Sequence, residues 1–96
     1  MTAREIEAHW LASCSAAVRS PSIVASGAQE ANVFRVAAMV LASAWPVQAA
    51  RLMALSDAYF AQHPADKLPV VQVVHNGWVL SLPRLRDMLS RQLASA

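Results

Sequence analysis

Pro69-Val70-Val71-Gln72-Val73-Val74-His75-Asn76-Gly77-Trp78-Val79-Leu80-Ser81-Leu82 is the stretch whose reading separates a mixed fold from an all-helical one. Asn-Gly between two apolar runs is the strongest short-range hairpin signal, because a type I′ turn needs positive φ at both central residues. A two-residue loop pairs His75 with Trp78, Val73 with Leu80 and Val71 with Leu82 on one face. Val74 with Val79 and Gln72 with Ser81 fall on the other. One face is apolar and the other mixed, as a half-buried hairpin requires. The rival reading is a fourth helix from Pro69 to Leu80, against which its valines and its glycine both argue.

Upstream of this stretch the pattern is helical. Thr2-Ala3-Arg4-Glu5 is an S/T-x-x-E capping box, in which hydroxyl and carboxylate each satisfy a free backbone N–H. Ala3, Ile6, Trp10, Cys14 and Ala17 follow at spacings of three and four, which predicts a helix over 3–19. Ser20-Pro21-Ser22 ends it. Ser26 and Gln29 form a weaker box before a second helix over 27–42, with Glu30, Asn32 and Arg35 on its outer face. From Val36 to Ala42 this helix is apolar all round, as expected of an element central in the fold or covered by a partner. Pro46 suits a first helical turn, so a third helix runs from Pro46 to Gln62. Trp45, Ala49, Leu52, Met53, Tyr59 and Phe60 form its inner face; Gln48, Arg51 and Gln62 lie opposite. His63-Pro64 stops it.

Downstream, Leu82, Leu85, Leu89 and Leu93 make the stripe of a short amphipathic helix from Pro83 to Ala94. The expected fold is therefore mainly α, of the α+β kind: three helices, a β-hairpin and a short C-terminal helix. An all-α five-helix domain is the alternative. With 96 residues and no internal repeat or long linker, residues 1–96 are read as a single compact domain.

Composition narrows the function. Hydrophobic residues make up 56% of the chain and charged residues 15%, against roughly 25% charge in an average domain. That excludes a disordered tail, and one cysteine excludes a disulfide scaffold. The net charge is +2, too small to imply a polyanionic partner. Arg51, Lys67, Arg84, Arg86 and Arg91 against Asp57, Asp66 and Asp87 place all of the excess in the second half. The longest uncharged runs, Val36–Ala50 and Leu68–Pro83, are shorter than the roughly 18 residues of a spanning helix, and both contain proline. Charged residues near the N-terminus argue against an export signal. A lone Cys14 fits a reducing cytoplasm, and the residue bias has a bacterial character.

No motif of catalysis or ligand binding stands out. His9 and Cys14 lie about 140° apart around their helix, which is not the geometry of a nucleophile pair. His9, His63, His75 and Cys14 lack zinc-ligand spacing. Gly27 and Gly77 stand alone, so no phosphate loop exists, and no nucleophile elbow is present. No metal, cofactor, small-molecule substrate or enzymatic activity is inferred.

Two readings from different classes remain. The first is a small regulatory or chaperone-like protein-interaction module, acting through an apolar helical surface as a homodimer or on another protein partner. Its contact residues are expected among Val36, Met39, Val40, Trp45, Leu52, Leu55 and Trp78. The alternative is a winged-helix-type DNA-binding transcriptional regulator, since three helices and a hairpin have that element order. Gln48, Arg51, Arg84, Arg86 and Arg91 would then meet the nucleic acid.

Overall fold

The computed structural model describes residues 2–79 and 81–95. Five α-helices run in chain order: α1 (Ala3–Arg19), α2 (Ala28–Leu41), α3 (Pro46–Gln62), α4 (Val70–His75) and α5 (Leu82–Ala94). A single 3₁₀ turn, Pro64–Asp66, precedes α4. No strand occurs among the described residues. The all-α five-helix alternative therefore holds, and the hairpin reading is corrected.

The correction has a local cause and a global one. Pro69 caps α4, its carbonyl accepting from the N–H groups of Gln72 (3.0 Å) and Val73 (3.2 Å). At the other end Asn76 keeps right-handed φ and ψ of −69° and −7°, which a type I′ turn forbids. Gly77 alone takes positive φ, 78°, and its N–H bonds back to the Val74 carbonyl. Asn-Gly is thus a helix stop, with glycine in the left-handed position that closes a helix end. Globally, two strands with nothing beside them are marginal, whereas a one-turn helix satisfies its backbone bonds internally. Burying Val73 completely against α2 outweighs the few tenths of a kcal/mol that each valine loses in a helix. The expected partner of Val73, Leu80, lies outside the described residues.

The other boundaries follow the sequence pattern closely. Thr2 and Glu5 form the reciprocal capping box of α1. Pro46 opens α3 in its first turn. Ser81 caps α5 by accepting from the Arg84 N–H at 3.2 Å. The second box is corrected: Gly27 is the N-cap of α2, and Glu30, not Gln29, reaches back, accepting from the Ser26 N–H at 3.0 Å. The same side chain accepts from Ser13 of α1 at 2.8 Å.

α2 is the central element. Every residue from Ala31 to Ala38 is buried. α3, α5, α1 and α4 all pack on it, so its all-round apolar segment is covered largely by the chain itself. Asn32 and Arg35, expected outside, are buried for the same reason. They are tolerated because they bond a loop: Asn32 donates to the Asp66 carbonyl (3.0 Å) and accepts from the Leu68 N–H (3.0 Å), and Arg35 donates to the Leu68 carbonyl. These bonds seat residues 66–68 on α2 and set the start of α4.

One hydrophobic cluster joins all five helices, from Trp10 and Cys14 on α1 to Val73 on α4 and Leu89 on α5. The accessible surface, 5438 Å², is close to the roughly 5,400 Å² expected of a folded monomer of this mass. The radius of gyration of 12.2 Å likewise matches the expected value of about 12.5 Å. Most of the apolar excess is therefore absorbed internally. Among the described residues no helix is long and apolar enough to cross a membrane.

Candidate functional site

The groups with chemical potential are dispersed. Cys14 is 1% exposed. Burial, reinforced by the Glu30 charge, pushes its thiol up to about 12, the opposite of what activates a cysteine nucleophile. The His9 ring meets Trp10 edge-on at 4.4 Å, and the His63 ring stacks on Tyr59 at 4.5 Å. His75 is exposed at the end of α4; with no hairpin, it is not paired across strands with Trp78. Among the described residues no three His, Cys, Asp or Glu side chains are grouped to hold a metal ion.

The residues expected to meet nucleic acid are likewise scattered. Arg51, expected on the outer side of α3, folds across the end of α1. It donates to the carbonyls of Ala17 (3.3 Å), Ser20 (3.0 Å) and Ile23 (3.1 Å). Arg84 is engaged by both oxygens of Glu7, tying α5 to α1, and Arg86 bonds Asp87 at 3.0 Å. Arg91 is exposed and Gln48 half-buried. Without a hairpin among the described residues there is no wing.

The residues expected at a protein interface divide. Val36, Leu52 and Leu55 lie in the core, where they serve the chain's own packing. Trp45 is half-buried and its indole N–H donates to Ser90 of α5 at 3.2 Å. Trp78 is half-buried over a narrow cleft with Trp10, Leu85 and Met88. Val40 is half-buried, and Met39 is 52% exposed.

Met39 belongs to a larger surface that the residue pattern did not single out. Val47, Ala50, Ala54, Ala58 and Ala61 recur at helical spacing on the outer side of α3 and are all exposed. Shallow apolar hollows flank them. One, of about 550 Å³, lies against the end of α2 and is lined by Ala38, Met39, Ala42, Pro46, Ala50 and Met53. The other, of about 320 Å³, lies against the α1–α2 connection and is lined by Val24, Ala25, Leu55, Tyr59, Gln62 and His63. Val24, Met39, Val47 and Val71 are the strongly exposed large hydrophobics of the described residues; three of these four border this surface. Asp57 is the one charged residue on the outer side of α3. The signal was present in the spacing of Val47 and the alanines, but alanine is neutral between core and surface.

Compared with known proteins, the chain matches no family model, no curated protein and no solved structure.

Proposed function

We propose that the chain is a non-enzymatic protein-interaction module that binds through the outer side of α3 and the adjoining end of α2. The observation that carries this reading is the gathering of Val24, Met39 and Val47 around one nearly uncharged helix face. Contiguous exposed apolar surface on a small domain is characteristic of protein contact. Met39 and Met53 suit such a role, since the unbranched thioether adapts to irregular partners. The chemistry of the site is therefore exclusion of water, with no group positioned to make or break a bond. A reducing, cytoplasmic setting goes with this reading, because the lone thiol is kept in the core.

The test is isolation of the tagged protein from its source cells beside the Val47→Asp variant. Val47 is 78% exposed, so the variant keeps the fold, which circular dichroism verifies. The reading expects a protein bound by the parent and lost by the variant. Salt-sensitive binding to random duplex DNA, abolished by Arg84→Ala with Arg86→Ala, would replace it with the DNA-binding alternative.

A further inference from the structure

The outer side of α3 carries charge and shape that fit one occupant in particular. An interface built for an oppositely charged partner needs charge of its own, and this surface carries only Asp57. The nearest cation on the helix, Arg51, is turned away to the carbonyls that end α1. Arg84, Arg86 and Arg91 lie on α5, which packs on α1 and α2. A surface with substantial charge repels its own copy, whereas a nearly neutral one does not. The shape is matched in the same way. Val47 and Met39 project, and hollows lie on both sides of α3. A surface with projections and hollows side by side can be complementary to itself across a twofold axis.

The available area agrees. The 17 residues of α3 span about 26 Å at 1.5 Å per residue. With a helix diameter of roughly 10–12 Å and a hollow on each flank, the footprint is on the order of 500 Å². Two such surfaces bury about 1,000 Å² in total, the lower bound of specific interfaces and the range of reversible ones.

We propose that a second copy of this chain occupies the outer side of α3, giving a reversible twofold dimer with α3 facing α3. The proposal rests on the reading of this surface as a protein-binding one and names its partner.

The test is sedimentation of the full chain from micromolar to near-millimolar concentration, with Val47→Asp and Val71→Asp alongside. Val71, on α4, is 76% exposed and serves as an equally exposed control away from α3. Asp at position 47 falls in the first turn of α3, where a carboxylate favours the helix, so the variant remains folded. The parent and Val71→Asp are expected to shift from monomer to dimer together as concentration rises. Val47→Asp is expected to associate at least about 100-fold more weakly, since each copy would bury a carboxylate in an apolar contact. A parent that stays monomeric throughout overturns the second copy as occupant, while leaving the protein-binding reading to the co-isolation experiment. A parent dimer unaffected by Val47→Asp, or one lost in Val71→Asp, places the interface elsewhere and overturns the proposal; the first result also removes the α3 surface from the functional reading.

Discussion

Arg35 of α2 donates to the backbone carbonyl of Leu68, 33 residues further along the chain. It is a buried cation whose hydrogen-bond partners are neutral: the other acceptor is the Asn32 side-chain oxygen at 3.3 Å, and the guanidinium Nε–H has none. Asn32 is the better satisfied of the two, bonding Ala28, Asp66 and Leu68 at once. Truncating a buried group that others depend on costs more than removing a charge that was poorly paired. Asn32→Ala is therefore expected to cost about 2–4 kcal/mol, because it leaves the Leu68 N–H and the Asp66 carbonyl without their partner. Arg35→Met, which keeps the stem and drops the charge, is expected to cost less. Urea unfolding of both variants decides the order, and faster amide exchange at Leu68 in Asn32→Ala locates the effect.

Two valines of α4 distinguish the helix from the hairpin. In the hairpin register Val71 and Val73 share one face, so a charge at either is equally damaging. In the helix Val73 is fully buried and Val71 is 76% exposed. Val73→Asp is expected to destabilise the fold by more than about 3 kcal/mol, as an unpaired buried carboxylate does. Val71→Asp should stay within about 0.5 kcal/mol of the parent. Gly77→Ala, expected to cost about 1 kcal/mol, cannot separate them, because hairpin turn and helix stop both require positive φ there. Thermal melts of the two Asp variants settle the matter.

That ambiguity shows what is legible in the sequence. Elements with both a cap and a long apolar period, α1, α3 and α5, can be read nearly to the residue, since each rule is local. The 70–75 segment is shorter than two periods, so local preference and the Asn-Gly signal dominate its reading. Its conformation depends instead on α2 lying beneath Val73 and on the absence of a third strand. Glu30, Asn32, Arg35 and Arg51 belong outside by polarity alone. Their engagement within the fold follows from free backbone groups at the end of α1, beside Ser26 and in residues 66–68, which are visible only once the helices are assembled. The interaction surface is half legible. Met39 stands out as an apolar residue on an apolar helix, whereas Val47 and the alanines of α3 resemble core filler.

The contact between α1 and α5 gives a pH dependence on the acid side. The Arg84 hydrogen bonds, with its positive charge, hold the Glu7 carboxyl below its ordinary value. In the unfolded chain that carboxyl takes up its proton first as pH falls. The contribution of the pair is thus complete above the ordinary carboxylate range and is lost as pH falls through the lower, folded value. Glu7→Gln is expected to flatten this part of the stability–pH curve, and added salt should reduce the difference between variant and parent. Equal acid limbs for parent and variant would show that the pair contributes nothing.

Cys14 gives the complementary dependence on the alkaline side. Its thiol is pushed up to about 12 by burial, with the Glu30 charge adding to the effect. In the unfolded chain it ionises near about 8.5. Between these values the unfolded state has released a proton that the folded state retains, so stability falls as pH rises through the window. At pH 10 the loss is about 2 kcal/mol, from roughly 1.5 pH units at 1.36 kcal/mol each. Tyr59 and Lys67 ionise in the same range, so the comparison must be made within one background. Cys14→Ala retains those groups and removes only the thiol. Its unfolding free energy, lower than that of the parent at pH 7 because a small cavity is left, is expected to fall less steeply between pH 8 and 10. The same burial makes the parent thiol unreactive while folded. Labelling by an aromatic disulfide reagent at pH 8 should therefore proceed at the rate of unfolding and accelerate with urea. Rapid labelling without urea, or parallel alkaline limbs in parent and Cys14→Ala, would show that Cys14 is open to solvent and would remove it from the core that α1 shares with α2.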